Sequence, residues 1–131
     1  MPSPYRLDHI AIHARDIDAS VRFYVDILGL REIENPMGSG FIRWIELDEG
    51  ANLHLVPGNT EAVPERAIST HLALAAPDFD AVVERLTRAG LAFGEMPNRP
   101  GKITTRPDGV RQCFVQDPDN FWIEINDAKP R

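Results

Sequence analysis

The chain has 131 residues, of which 43% are hydrophobic and 26% charged, a composition typical of one globular domain. Its net charge of -6 and its scattered arginines argue against a nucleic-acid surface, which needs a clustered basic field. The single cysteine excludes an intrachain disulfide, and no apolar run is long enough to span a membrane. We therefore expect a cytoplasmic protein that binds neither nucleic acid nor a membrane.

The first half of the chain predicts a strand, a helix and three more strands. Residues 6–13 alternate apolar and polar side chains as a strand does. A helix follows that is capped by Asp16 or Asp18, and its apolar stripe is formed by Val21, Tyr24, Val25 and Leu28. Further strands are predicted at 31–35, 40–47 and 51–56, with a turn at 48–50 between the last two.

The second half predicts the same order of elements after a proline-containing linker at 57–69. A strand at 70–76 leads to a helix at about 79–89, whose stripe carries Val82, Val83, Leu86 and Ala89. Strands follow near 91–96, 102–106, 109–117 and 121–126. The sequence RPDGV is predicted to form a hairpin turn between two of them, and residues 96–102, which are rich in proline and glycine, are predicted to form a loop.

The two halves share one sequence pattern. The segment DHIAIHARDIDASVRFYVDILGL (8–30) resembles THLALAAPDFDAVVERLTRAGL (70–91), which aligns His9 with His71. A second pair of segments, LDEGANLHLV (47–56) and DPDNFWIEIN (117–126), aligns His54 with Glu124. Two matches in the same order indicate an internal duplication, so each half is predicted to be one copy of the same module.

Strand alternation places four side chains with metal-binding groups at equivalent positions. The aliphatic face of each strand must pack on a helix, which leaves the other face to His9, His54, His71 and Glu124. The carboxylate lies in a strand of Phe, Trp and Ile and needs a partner, because burying an uncompensated charge is costly. Imidazoles and carboxylates are typical ligands of first-row divalent metals. We predict that these four residues form such a site, for Ni, Zn, Co, Mn or Fe.

These segments resemble the vicinal oxygen chelate superfamily, which includes glyoxalase I, extradiol dioxygenases, and the bleomycin- and fosfomycin-resistance proteins. The resemblance rests on LDHIAIHARDIDASVRFYVDILGL, HLALAAPDFD and DPDNFWIEI, and it spans about 6 to 126. It implies an α+β fold in which two βαβββ modules form a curled mixed-sheet cup with the helices on the outer face. Residues 1–131 would then be a single domain, with module one at about 6–56, the linker at 57–69 and module two at about 70–126.

The resemblance implies a divalent-metal-dependent enzyme that is most similar to glyoxalase I (lactoylglutathione lyase type). Such an enzyme performs proton transfer, as a lyase or isomerase, at a carbon beside an oxygen that the metal chelates. His9, His71 and Glu124 match ligand positions of the superfamily, whereas His54 stands where glyoxalase I has a glutamate or glutamine. Glu124 is therefore the predicted base, and His54 is the alternative acid or base. A small-molecule substrate and a homodimer are also implied.

Two other functions stay open. An iron-dependent extradiol ring-cleaving dioxygenase would take His71 and Glu124 with one histidine of the first half as its facial triad. Its signature, however, expects glycine where this chain has Asn120. A non-catalytic small-molecule-binding protein of the resistance type is the third reading, although such proteins generally lack the four ligands that this chain keeps.

Several side chains are candidates for contact with the substrate. His13 shares the face of His9 further along the strand, and Trp122 shares the face of Glu124. An anionic group of the substrate would need a basic partner, and the candidates are Arg43, Arg99, Lys102 and Arg106. Cys113 is predicted to be a small strand residue without a catalytic role.

Overall fold

A computed structural model describes residues 1–38, 40–58, 62–95 and 101–130. The chain divides into two compact units, Met1–Ala62 and Val63–Arg131. The boundary lies inside the linker predicted at 57–69. Each unit contains a helix and a mixed sheet, so the predicted α+β class and the two-module architecture are confirmed.

The first unit has the predicted order of elements. These are β1 (His9–Ala14), α1 (Ile17–Arg22) with a π-helical continuation (Phe23–Ile27), β2 (Arg31–Ile33), β3 (Arg43–Asp48) and β4 (Ala51–Pro57). The strands are ordered β1-β4-β3-β2 in the sheet. The first and last strands of the unit, β1 and β4, pair in parallel, and the other pairs are antiparallel.

The second unit repeats this topology with one additional short strand. It contains β5 (His71–Ala75), α2 (Phe79–Arg88), β6 (Phe93–Gly94), β7 (Thr104–Thr105), β8 (Arg111–Gln116) and β9 (Trp122–Asn126). The sheet order is β5-β9-β8-β6, and β7 also pairs with β8. Again the first and last strands, β5 and β9, pair in parallel.

Equivalent residues begin and end the two helices. The side chain of Asp16 accepts a hydrogen bond from the backbone of Ala19 at 3.1 Å, and Asp78 does the same for Ala81 at 3.1 Å, which satisfies a free N–H of the first turn. Of the two predicted caps for α1, Asp16 is therefore the one used. Past each C-terminus, Gly29 (φ 82°) and Gly90 (φ 68°) take the left-handed conformation that ends a helix.

Each unit has its own set of buried apolar residues. In the first unit the fully buried side chains include Tyr24, Ile45, Leu53 and Leu55. In the second unit they include Phe79, Leu86, Val115 and Ile123. The predicted alternation in β1 and β5 is observed, since the histidines, Ala11, Ala73 and Ala75 are exposed, whereas the Ile and Leu residues are half-buried and Ala14, which shares their face of β1, is buried.

Several predicted strands are longer than those observed. The strand predicted at 40–47 begins at Arg43, because the backbone carbonyl of Ile42 accepts a hydrogen bond from the side chain of Asn35 at 2.9 Å, and the same side chain accepts one from the backbone of Met37 at 2.9 Å. Ala89 was predicted on the buried stripe of α2 but is exposed, because it caps the helix beside the turn at Gly90.

No helix in the described ranges has the length and apolar character needed to cross a bilayer.

Candidate functional site

The first unit brings two of the predicted metal ligands together in a stack of three rings. His9 on β1 and His54 on β4 are stacked with ring centroids 4.1 Å apart and planes 9° from parallel. Trp44 lies opposite His54 in the β3–β4 register, and its ring stacks on His54 at 4.0 Å and 16°. The imidazole of His54 is therefore held between two flat rings, which fixes its orientation.

The free nitrogen of His54 has the properties of a metal ligand. Nε2 of His54 is buried and has no hydrogen-bond partner among the described residues, an arrangement that costs free energy unless something binds there. Burial lowers the pKa of His54, and the neighbouring charge of His9 lowers it further. The imidazole is therefore neutral near pH 7, which leaves one ring nitrogen with a lone pair.

His9 is oriented by the residue that precedes it. Its Nδ1 lies 2.7 Å from Oδ2 of Asp8, and this hydrogen bond is the main cause of the lowered pKa of Asp8. Because an ionised carboxylate can only accept, Nδ1 carries the proton and Nε2 is left to bind a ligand. A carboxylate behind a histidine in this way is common around metal ions.

The second unit brings the other two predicted ligands together. Nε2 of His71 on β5 lies 3.3 Å from Oε1 of Glu124 on β9. Nδ1 of the same ring donates to the backbone carbonyl of Ile68 at 2.8 Å, so in a neutral imidazole Nε2 has no proton. Two lone pairs then face each other, an arrangement that is repulsive unless a proton or a metal cation lies there.

The other oxygen of Glu124 is already bound. The side chain of Asn126 donates to Oε2 at 2.6 Å, and Nη1 of Arg106 is 3.7 Å from the same atom. The carboxylate is only 6% exposed, so these partners also compensate its buried charge. Arg106 is held in turn by Asp108, at 3.1 Å and 2.6 Å, which lowers the pKa of Asp108 to about 2.

Two of the predicted basic substrate contacts are engaged in ion pairs. The guanidinium of Arg43 donates to both oxygens of Glu32, at 2.7 Å and 2.8 Å, and to Asp18 at 2.8 Å. Nζ of Lys102 lies 3.5 Å from Glu95. Arg99 lies outside the described residues.

The remaining candidates have structural neighbours of their own. The exposed ring of His13 lies over Gly58, where an added Cβ would come within 2.8 Å of it. Trp122 is 8% exposed, and its indole N–H donates to the carbonyl of Arg66 at 2.9 Å. This bond ties the segment before β5 to β9. Cys113 is fully buried, and burial raises the pKa of its thiol to about 11, so it stays protonated.

A family model for the Glyoxalase/Bleomycin resistance protein/Dioxygenase superfamily matches residues 6–125. The chain belongs to this superfamily. A solved structure named Oxidase ChaP-H2 is 30% identical, with a TM-score of 0.78, and the match covers 98% of this chain and 96% of that one. The protein YwbC of Bacillus subtilis, named as uncharacterized, is 29% identical over 92% of this chain and 95% of its own. A probable lactoylglutathione lyase of Vibrio cholerae is 27% identical over 94% and 91%.

The residues present fit the divalent metal that members of the superfamily typically use. Imidazole nitrogen and carboxylate oxygen suit first-row divalent ions. Nε2 of His54, which has no hydrogen-bond partner among the described residues, is available to bind such an ion. The four predicted ligands occur as two pairs, one in each unit. Within the described ranges, no three His, Cys, Asp or Glu side chains are grouped closely enough to hold a metal ion. The convergence of all four ligands stays a prediction.

The sequence did not identify the residues that orient these predicted ligands. Asp8 directly precedes His9, but Thr70 stands at the equivalent place before His71, so the duplication did not mark Asp8 as a functional residue. Asn126 lies on the same face of its strand as Glu124, and this position was the indication in the sequence that the two side chains could meet. The carbonyl of Ile68 could not be found from side-chain chemistry, because it is a backbone group of the linker.

Proposed function

We propose that the chain is a divalent-metal-dependent enzyme of the superfamily that transfers a proton in a small oxygen-chelating substrate, as a lyase or isomerase similar to lactoylglutathione lyase. The observation that carries the proposal is the pair formed by His71 and Glu124. Their facing atoms are 3.3 Å apart, and the other ring nitrogen is already bound to Ile68. A metal cation between the two atoms would, as a proton does, remove the repulsion between their lone pairs.

His9, His54, His71 and Glu124 would hold the ion. When bound, a divalent metal polarises the oxygen atoms of a substrate and makes the adjacent carbon more acidic. Its binding to the imidazole nitrogens is supported by the outer contacts of the two edge-strand histidines. Asp8 and Ile68 each hold an Nδ1, so Nε2 is the nitrogen that would bind the ion.

The proton is handled by the chain's own groups. Glu124 is the carboxylate of the proposed set, and its Oε1 is the oxygen without a hydrogen-bonding amide, so this atom would detach from the ion and accept the proton from the substrate carbon. His54 is the alternative acid or base, in place of its role as a ligand, because a neutral imidazole that binds an ion through Nε2 has no lone pair left to accept a proton. Its lowered pKa keeps the imidazole neutral, and the rings of His9 and Trp44 hold it in place.

A metal-dependent oxidation is the second candidate, and iron-dependent extradiol ring cleavage is its form among superfamily members. Two observations favour it. A structural neighbour with 30% identity is named an oxidase, and His54 stands where glyoxalase I has a glutamate or glutamine. Two histidines and one carboxylate are the ligand set of non-haem iron oxygenases. The oxidation and the proton transfer share the metal site and differ in their need for oxygen.

Trp44 supplies a direct test of metal binding. Because its ring is 4.0 Å from that of His54, Ni²⁺ or Co²⁺ bound at Nε2 should quench its fluorescence. The metal-free protein is titrated with each ion, and the variant Trp44→Phe, which retains Trp122, is titrated as the control. Quenching that saturates in the wild type, is lost in Trp44→Phe and weakens in His71→Ala supports the proposal. Wild-type protein that takes up no divalent ion refutes it.

Turnover then separates the two chemistries. The protein loaded with Ni²⁺, Zn²⁺, Co²⁺, Mn²⁺ or Fe²⁺ is assayed without oxygen on hemithioacetals of 2-oxoaldehydes, and with oxygen on catechols. Activity without oxygen that falls in Glu124→Gln supports proton transfer. Oxygen uptake with Fe²⁺ alone identifies the oxidation instead. Metal binding and ligand binding without turnover on either class would favour a resistance-type binding protein.

We also propose that the enzyme acts on a small molecule as a cytoplasmic homodimer. The support is the superfamily itself, in which such assemblies are common. Light scattering of the purified chain at several concentrations measures the mass, and a monomer across the whole range would contradict the dimer.

A further inference from the structure

The carboxylate of Glu124 has two oxygen atoms in different surroundings. Oε1 faces Nε2 of His71 at 3.3 Å. Oε2 accepts a hydrogen bond of 2.6 Å from the amide of Asn126 and lies 3.7 Å from Nη1 of Arg106. A free carboxylate on a strand could rotate and exchange its oxygens, whereas these contacts favour one orientation.

Asn126 is itself well fixed. It is buried at the end of β9, and its side-chain carbonyl accepts a hydrogen bond from the backbone of Ala128 at 3.1 Å. Because the carbonyl end is used in this way, the NH₂ end must point toward Glu124. The amide cannot flip without losing both hydrogen bonds.

Arg106 is fixed by the turn that follows it. The hairpin turn places Asp108 two residues later, where Gly109 takes a φ of 86° and donates to the carbonyl of Arg106 at 2.8 Å. Both oxygens of Asp108 bind the guanidinium, through Nε at 3.1 Å and Nη2 at 2.6 Å. This two-point contact leaves Nη1 as the atom that reaches Glu124.

We infer that Asn126, Arg106 and Asp108 form a clamp that holds Oε2 of Glu124 and leaves Oε1 as the single oxygen that binds a metal ion. The inference rests on the proposed function and assigns Arg106 a positioning role in place of contact with the substrate. Single-oxygen coordination keeps a position near the ion open for the substrate, because a carboxylate that bound through both atoms would occupy it.

Variants that conserve the charge distinguish the positioning of Glu124 from a purely electrostatic effect of the positive charge of Arg106. Arg106→Lys keeps the positive charge but cannot bridge Asp108 and Glu124 as a planar fork does. Asn126→Leu removes the amide with no change of charge, and Asn126→Ala is the second variant if the first does not fold. Arg111→Lys is the matched control, because Arg111 is another arginine of the second unit that is paired with a carboxylate, with its Nε 3.0 Å from Asp127.

The probe is Co²⁺ alone, added to the metal-free full chain, with its affinity and visible spectrum measured. We expect Arg106→Lys and Asn126→Leu to weaken Co²⁺ binding about 10- to 100-fold, the usual effect of losing an outer contact of a ligand. The spectrum should also change, because release of Oε2 lets both oxygens bind and alters the coordination number. Arg111→Lys should match the wild type in both measurements.

A double variant tests the order of the contacts. If Asp108 acts through Arg106, then Asp108→Asn should weaken Co²⁺ binding in the wild type and have no further effect in Arg106→Lys. Wild-type affinity and spectrum in both Arg106→Lys and Asn126→Leu would overturn the clamp while leaving the proposed function intact. A wild type that takes up no Co²⁺ would refute the proposed function and the clamp with it.

Discussion

Replacing His54 by phenylalanine should raise the stability of the metal-free protein and abolish its stabilisation by metal. The substitution keeps a flat ring between His9 and Trp44, whose centroids lie 4.1 Å and 4.0 Å from that of His54. It removes Nε2, which is buried without a hydrogen-bond partner among the described residues. The variant therefore keeps the packing of the stack and removes its unsatisfied polar atom.

The magnitude follows from the cost of that atom. A buried polar group without a partner costs about 1–3 kcal/mol. The phenylalanine ring is larger than the imidazole, and fitting its added volume into the stack offsets part of the gain from removing that atom. The net gain in the free energy of unfolding should therefore be about 1 kcal/mol. For a chain of this length the gain corresponds to a Tm about 3–5 °C higher. At a metal concentration of 100 times Kd the wild type should gain about 2.7 kcal/mol, which reverses the order of the two proteins.

The assay is urea denaturation followed by circular dichroism, with chelator and then with Co²⁺ or Zn²⁺. His13→Phe is the matched control, since His13 is exposed and its replacement should change the stability by less than about 0.5 kcal/mol. A metal-free His54→Phe less stable than the wild type would refute the argument from the unpartnered nitrogen. Equal stabilisation of both proteins by metal would show that His54 is not a ligand.

Three predictions concern the fold. Leu86→Ala should cost about 3 kcal/mol in urea denaturation, because Leu86 is 0% exposed and its truncation leaves a cavity. The exposed Thr87→Ala serves as its comparison. Asp78→Ala should cost about 1 kcal/mol in the same measurement by removing the cap of α2, and a loss below about 0.3 kcal/mol would mean that the cap is replaced. The hydrogen bond from Arg43 lowers the pKa of Glu32, so the ion pair stabilises the folded state above the ordinary carboxyl pKa. This stabilisation is lost as the pH falls through the lowered value. Urea midpoints between roughly pH 6 and pH 3 should therefore fall less steeply in Glu32→Gln, and equal slopes would contradict this.

The duplication in the sequence predicted most of the local structure. Equivalent residues, Asp16 with Asp78 and Gly29 with Gly90, begin and end the two helices. They could be predicted because capping depends on residues that are close together in the sequence. Strand parity likewise predicted which side chains share a face in β1 and β5. These signals are local, so they did not depend on the course of the chain elsewhere.

The surroundings of the ligands could not be predicted in the same way. The bond from His71 to the carbonyl of Ile68 depends on the path of the linker, which Arg66 and Trp122 tie to the end of the β8–β9 hairpin. The contact between Arg106 and Glu124 depends on how a turn between other strands is oriented. Both are tertiary contacts between residues distant in sequence, and alternation gives no information about them.

The parallel pairing in each unit has a consequence for how the protein folds. The last strand of each unit, β4 or β9, is inserted between the first strand and the one that precedes it in the chain. The pairing of the first strand with the last is therefore the longest-range strand contact of each sheet. Such contacts form slowly because the intervening chain must first be ordered. Each proposed ligand pair lies on those same strands, His9 with His54 and His71 with Glu124. During refolding, Co²⁺ colour would therefore develop only after these strand pairs have formed, and its rate would report that step.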